Sequence, residues 1–215
     1  MLEVRTVRPD ELAAVGDLVA DVYVAEGWST HDDYTAELRD AATRAAHADL
    51  IVAVLDGAVV GSVTLVLDGG RYAEASKPGE SVIRMLATSP AARGNGVGAA
   101  LVEECVRRSR EAGRSAVRLS TQQPMHAAQR LYERQGFVRT PEQDWSPIPG
   151  LDLLTYWLPL QFCGQCGEPA THPACEARLE LEPPRYCTKC RRRMVVQVHP
   201  TGWSARCVEH GTVSG

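Results

Sequence analysis

Met85-Leu86-Ala87-Thr88-Ser89-Pro90-Ala91-Ala92-Arg93-Gly94-Asn95-Gly96-Val97-Gly98-Ala99-Ala100-Leu101 is the stretch on which the reading of this chain turns. The apolar run 82–87 supplies a strand and Pro90 closes a turn. Leu101, Val102, Cys105 and Val106 then recur at helical spacing until Gly113 stops them. Between strand and helix lies Arg93-Gly94-Asn95-Gly96-Val97-Gly98. Backbone N–H groups at a helix start have no intrahelical partner and sit at the positive end of the helix dipole, so they attract phosphate. Gly94, Gly96 and Gly98 remove side chains that would hold a pyrophosphate away. A phosphorylated cofactor is the simplest ligand for such a loop.

Two other kinds of phosphate loop do not fit. A Walker loop needs Lys and then Ser or Thr after its last glycine, but Gly98 is followed by Ala99 and Ala100. The dinucleotide fingerprint G-x-G-x-x-G follows a first strand; here the spacing is G-x-G-x-G after what reads as the fourth. A bare strand–turn–helix connection is the alternative.

Residues 93–98 are similar to the acetyl-CoA signature Q/R-x-x-G-x-G/A of the GNAT N-acetyltransferases. After a strand at 116–120, Ala127-Ala128-Gln129-Arg130-Leu131-Tyr132-Glu133-Arg134-Gln135-Gly136-Phe137 resembles that family's A-x-x-L-Y-x-x-x-G-F segment. The resemblance covers residues 1–160. It implies an α/β (α+β) fold with a mixed, mostly antiparallel sheet flanked by helices. It also implies acetyl-CoA as cosubstrate and an amine on a small molecule or protein as acceptor. The pantetheine arm would lie along the signature strand like an added strand. On this resemblance the cofactor-binding set is Leu86, Ala87, Thr88, Arg93, Gly94, Asn95, Gly96, Val97, Gly98 and Ala99.

Acetyl transfer from a thioester asks the protein mainly to position two reactants and move protons. Tyr132 falls where the family commonly places the acid that protonates the departing thiolate. A phenol of pKa about 10 suits that role beside a thiol of about 8.5; simple packing beside Leu131 is the alternative. Many relatives carry Asn a few residues before this Tyr. Here the segment reads Gln123-Pro124-Met125-His126, so Gln123 or His126 replaces it, or nothing does. Glu80, just before the strand, is the candidate general base, with a water relay or a plain ion pair as alternatives. Coenzyme A binding without catalysis, in a sensor, is a further reading of this domain.

The rest of residues 1–160 is compatible with that scheme. A first strand spans 2–7, and Asp10 is placed to cap a helix with Leu12, Val15, Leu18 and Val19 on its apolar face. A second helix is expected over 33–47, capped near Ser29, Thr30 or Asp32. That region generally shapes the acceptor site in such enzymes, so His31, Asp32, Asp33 and Tyr34 are candidate contacts, against a plain solvated helix start. Two β-rich runs, 50–55 and 58–67, flank Asp56-Gly57 as in a hairpin. Residues 71–80 read as a polar loop, Trp145 falls in a Pro-rich loop, and 151–158 is another strand. Cys105 reads as a buried core thiol.

At 215 residues the chain has room for one full domain plus a small one. No run of 18 apolar residues occurs and Met1-Leu2-Glu3-Val4-Arg5 lacks a signal-peptide pattern, so a cytoplasmic protein without a membrane partner is expected. Charge and cysteine are uneven. Residues 161–215 hold 7 Lys+Arg against 5 Asp+Glu and six of the seven Cys. This shift puts the domain boundary at 160–162, giving domains 1–160 and 161–215.

The tail reads Cys163-Gly164-Gln165-Cys166, then His172 and Cys175, then Cys187-Thr188-Lys189-Cys190, then Cys207-Val208-Glu209-His210. In a reducing compartment such clustering favours metal ligation over disulfides. A hairpin over 194–206 would bring Cys187, Cys190, Cys207 and His210 together in zinc-ribbon-like Cys3His ligation. Cys163, Cys166, His172 and Cys175 make a second set of four. Thiolates also hold iron–sulfur clusters, and spacing does not choose between zinc and iron–sulfur. Leu181-Glu182-Pro183-Pro184-Arg185-Tyr186-Cys187, with 192–198 and Gly202-Trp203, is similar to the biotin synthase auxiliary protein family. That resemblance, over 162–212, implies an iron–sulfur association and biotin synthase as partner. Arg191-Arg192-Arg193 stands alone in an acidic chain, which argues against nucleic acid as the partner.

Overall fold

Strand β1 (Leu2–Thr6) leads through a 3-10 turn (Pro9–Glu11) into α1 (Leu12–Ala25), α2 (Asp32–Arg39) and α3 (Ala41–His47). There follow β2 (Asp49–Leu55), β3 (Ala58–Val66), β4 (Glu80–Thr88), α4 (Val97–Glu111), β5 (Ala116–Gln122) and α5 (His126–Arg134). Strands β6 (Val138–Arg139), β7 (Trp145–Ile148) and β8 (Leu151–Pro159) complete the sheet. The computed structural model describes residues 1–29, 31–74, 76–169 and 172–215, and the chain divides into the units Met1–Leu158 and Pro159–Gly215.

The sheet of the first unit is ordered β1-β2-β3-β4-β5-β8-β6, with β7 paired to β8. β4 and β5 run parallel; the pairs β1–β2, β2–β3, β3–β4, β6–β8 and β7–β8 run antiparallel. This is the mixed, mostly antiparallel sheet expected. Alternation along the strands sorts the helices onto two faces. Leu50, Val52 and Val54 pack with Val15 of α1 and Ala41 of α3, while Val82, Met85 and Ala87 join Val19, Tyr23 and Leu38. α4 lies on the other face. Its Ser109 hydroxyl pairs at 2.7 Å with that of Ser81, one residue out of phase with Val82. Gly61 of β3 lies so close beneath α4 that a Cβ there would stand 2.8 Å from Val97 Cγ1.

Several local expectations change. Asp10 does not cap α1; the Glu11 carboxylate accepts the Arg8 N–H at 2.8 Å and also holds Arg5. The single helix over 33–47 is two helices. Asp40 leaves helical geometry (ψ 70°), and its Oδ1 accepts the Thr43 N–H at 2.9 Å. A short acid that serves the backbone in this way competes with helix continuation. Ser29 bonds Thr35 through their hydroxyls at 2.8 Å, and Thr30 lies outside the described residues. Trp145 lies in β7, opposite Leu153, rather than in a loop. Segment 71–80 is not merely polar surface, because Tyr72 is 1% exposed and Glu80 opens β4.

The second unit is built on two knuckles of one design. The Cys163 N–H donates to Glu168 O at 2.8 Å and the Gly167 N–H to Cys163 O at 2.9 Å. The Cys187 N–H to Arg192 O and the Arg191 N–H to Cys187 O repeat both bonds at 2.8 and 2.9 Å. Gly167 and Arg191 turn the chain at φ 77° and 63°, and bridges Phe162–Pro169 and Tyr186–Arg193 close the two loops. Between the knuckles lies α6 (Pro173–Leu179); after them, β9 (Val195–His199), β10 (Gly202–Cys207) and β11 (Gly211–Ser214) form a sheet ordered β11-β10-β9. The β9–β10 hairpin is the one expected. β11 is added by pairing alone, since its four exposed residues carry no pattern. No helix among the described residues is long and apolar enough to cross a membrane.

Candidate functional site

β4 and β5 pair only from Glu80–Ala116 to Ile83–Leu119. The cause of their parting is local. Met85, a non-glycine residue, takes the left-handed backbone (φ 54°), and the β3–β4 register slips between Ser62 and Thr64. Such a bulge bends and twists its strand. The β5-facing peptide groups of β4 beyond Ile83 therefore have no ladder partner. A cleft of about 100 Å³ opens there, with Arg84, Met85 and Leu86 on one side and Ser120, Thr121 and Gln122 on the other.

β4 runs from this gap into the glycine loop. Gly96, the residue before α4, stands at φ 75°, and a Cβ there would meet open space, so glycine serves the backbone turn. Gly98 serves packing instead: a Cβ would lie 3.2 Å from Leu131 of α5. The first helical bond runs from the Ala100 N–H to Gly96 O at 3.0 Å, and the N–H groups of Gly94, Gly96, Val97, Gly98 and Ala99 donate to no described group. Those donors form an anion cradle at the positive end of a 15-residue helix. Arg93 is exposed beside it, 2.7 Å from Glu26; the Asn95 amide turns back to Ala92 O at 3.2 Å and stiffens the loop. Of the strand residues expected to meet the cofactor, Leu86 lines the cleft. Ala87 is core and pairs with Ser62, and Thr88 pairs with Gly61.

Tyr132 lines the same cleft from α5, 5% exposed and tilted against Phe137 and Tyr156. Burial, and next the Cys105 sulfur, push its phenol well above the usual value, so it holds its proton. Cys105 is fully buried as expected, and burial raises its thiol too. Glu80 is placed elsewhere. Its carboxylate takes two bonds from the Arg118 guanidinium at 2.7 and 2.8 Å, one from Trp157 Nε1 at 3.1 Å and one from the Lys77 N–H at 3.0 Å. Burial raises the Glu80 carboxyl, but Arg118 outweighs this and holds it below the ordinary range. It is not among the residues that line the cleft, and its pair with Arg118 ties β4 to β5.

Gln123 and His126 are exposed, and His126 Nδ1 meets only Gln129 Oε1 at 3.4 Å. Gln122 lines the cleft in their stead, its amide donating to Trp28 O at 2.8 Å. Tyr34 lines the cleft, Asp32 borders a separate hollow on α2, and His31 and Asp33 are exposed. Sequence reasoning missed Tyr23, Glu74 and Arg84, which also line the cleft. No motif holds them, because three distant segments meet only in the fold.

In the second unit the expected ligands converge as two sets, Cys163, Cys166, His172, Cys175 and Cys187, Cys190, Cys207, His210, each with all ligand atoms within 4.8 Å. Cys166 Sγ lies 3.6 Å from His172 Nδ1, Cys190 Sγ 3.6 Å from Cys207 Sγ, and His210 Nδ1 3.6 and 3.7 Å from Cys187 and Cys207 Sγ. A tetrahedral ion with M–S of about 2.3 Å and M–N of about 2.0 Å needs ligand separations of about 3.5–3.8 Å. The residues therefore fit one ion per set. Burial raises the Cys163 thiol, but the Cys166 and Gln165 amides bring it down to about 6; the Glu209 amide brings Cys207 to about 6.

Residues 12–137 match the acetyltransferase (GNAT) family, and residues 194–215 match the biotin synthase auxiliary protein family. The biotin synthase auxiliary protein of Mycobacterium bovis is 56% identical over 52 residues, which are 24% of this chain. The chain spans 63% of that relative's length. A GNAT-family acetyltransferase of Staphylococcus aureus Mu50 superposes with TM-score 0.61 at 16% identity, over 75% of this chain and all of that one. Salmonella typhimurium yncA, solved with its cofactor acetyl-CoA, gives 0.55 at 18% identity, over 74% of this chain and 94% of that one. These two likenesses concern the fold. With its bulged β4, its glycine loop and a family match over 12–137, the chain belongs to the GNAT acetyltransferase family and carries at its end a match to the biotin synthase auxiliary proteins.

Proposed function

We propose that residues 1–160 move an acetyl group from acetyl-CoA to an amine. The observation that carries this reading is the β4–β5 gap with a buried phenol beside it, on a strand that leads into a helix start with unspent amide donors. Pantetheine amides would pair with the free edge of β4 near Leu86, and the diphosphate would take the amides of Gly94 and residues 96–99. A β4 N–H supports the charge that develops on the thioester oxygen. Tyr132 gives its proton to sulfur as the C–S bond breaks. With Glu80 committed to Arg118, water relays the proton from the amine. Calorimetric titration of the full chain with acetyl-CoA should give one saturable site and a raised Tm. No heat and no Tm shift at millimolar ligand would sink this reading.

The second unit, residues 161–215, is proposed to hold two single metal ions, zinc by the Cys3His ligand sets and their tetrahedral spacing. When bound, zinc supplies a structural crosslink at each knuckle. Such thiolate sites fit the reducing cytoplasm. The similarity to biotin synthase auxiliary proteins extends the proposal to biotin synthase as the partner of this unit. Metal analysis of anaerobically purified protein should find two zinc per chain and no colour. A brown protein with iron and acid-labile sulfide would replace zinc by an iron–sulfur cluster.

A further inference from the structure

We propose that the acetyl acceptor is a free α-amino acid, with Arg84 receiving its carboxylate and Glu74 its ammonium. The inference rests on the acetyl-transfer reading and names its substrate class. Arg84 and Glu74 both line the cleft and form an ion pair with each other. Their side chains are 21% and 48% exposed, so a solute can reach both. The Arg84 guanidinium is held over the Tyr72 ring, 5.8 Å from its centroid, while Tyr72 itself is buried. One partner of the pair is therefore fixed and the other is free to yield.

Further charges bear on the same cleft. Arg44, fully buried, makes no ion pair among the described residues. Its guanidinium donates to Leu38 O at 2.7 Å and to Thr64 Oγ1 at 3.3 Å, and its Nε finds no partner. The charges of Arg44 and Arg84 both act on the phenols of Tyr23 and Tyr34, which line the cleft. Glu37 acts on Tyr34 in the opposite sense, so charge of both signs bears on the cleft. An acceptor bringing only an ammonium would pair with Glu74 and leave Arg84 without its partner, whereas one bringing a carboxylate as well serves both. An α-amino acid carries both groups on one carbon, so it can replace each half of the Glu74–Arg84 pair with the other's chemical equivalent.

In the reaction the ammonium loses one proton to water beside Glu74, and its nitrogen bonds to the thioester carbon. The nitrogen gives up a second proton as the adduct collapses and the C–S bond breaks. The thiolate takes the proton of Tyr132, which water restores. The products are an N-acetyl amino acid, free coenzyme A and one proton.

The test follows thiol release by the full chain with acetyl-CoA and three acceptor series of matched side chain. These are free α-amino acids, their amides as stand-ins for a protein N-terminus, and the corresponding decarboxylated amines. The expected result is a kcat/KM about 10- to 100-fold higher for the free acids, the worth of a charge-assisted hydrogen bond. Arg84→Gln should bring the acid-to-amine ratio towards one, and Arg84→Lys should keep most of it. Equal use of amides or amines by the wild type, or a ratio unmoved in Arg84→Gln, overturns the proposal. So does saturation with acetyl-CoA without turnover of any free acid. Failure of calorimetric acetyl-CoA binding is a separate signal: it removes the acetyl-transfer reading, and the acceptor with it.

Discussion

Tyr132 and Glu80 show how burial assigns different work to two ionisable residues that sequence reasoning placed in one mechanism. The Tyr132 phenol is raised by burial, so it is protonated throughout the neutral range, as the proposed acid must be. Tyr132→Phe should lower kcat by about 10²-fold or more and leave acetyl-CoA affinity within twofold, as read by calorimetry. Because the shift is upward, no loss of rate below pH 10 should trace to this group. Glu80 is lowered, so its pairing with Arg118 contributes stability above the ordinary carboxylate pKa and is lost as pH falls below it. Glu80→Gln leaves the Arg118 guanidinium, 2% exposed, without its counter-charge. Removing one partner of such a pair costs about 3–5 kcal/mol, which denaturant unfolding would report. The folded fraction of Glu80→Gln should retain its kcat; a loss there would restore Glu80 as the base.

At the scale of the element, α4 presents its N-terminus to a loop in which glycine does two different things. The backbone turns at Gly94 and Gly96, while Gly98 makes room for Leu131. Substituting any of them would disturb the fold along with the ligand. Ala99 separates the two effects. It is half-buried in the first turn, where an acidic side chain suits the helix dipole by about 0.3–1 kcal/mol. The same carboxylate would repel a diphosphate. Ala99→Glu should therefore keep or raise Tm while weakening acetyl-CoA binding at least tenfold in calorimetry. Unchanged affinity would show that phosphate sits elsewhere.

For the molecule as a whole, each unit draws its stability from a different source. The first has apolar clusters around its sheet; among the described residues, the buried apolar side chains of the second are Leu160, Ala205 and three thiols, Cys163, Cys187 and Cys207. A unit whose interior is largely its metal ligands should fold only with metal. A strong chelator should abolish amide protection across residues 161–215 in hydrogen exchange and leave the acetyl-CoA-induced Tm shift of the first unit intact. Retained protection in the metal-free tail would contradict this.

Much of this was open to reading from the chain alone, and for local reasons. Residues 93–98 specify the turn into α4 because glycine spacing acts on the backbone directly. The eight Cys and His that converge in two sets stand out because cysteine pairs with two residues between them have a metal-site spacing. The strand pattern also carried the sheet. What local pattern did not contain was the bulge at Met85, where β3–β4 register and not residue preference imposes a left-handed backbone. Nor did it contain the Glu80–Arg118 pair, 38 residues apart, or the meeting of Tyr23, Tyr34, Glu74 and Arg84 at one cleft. Those depend on which distant segments the packed sheet brings within reach, and only the tertiary structure decides that.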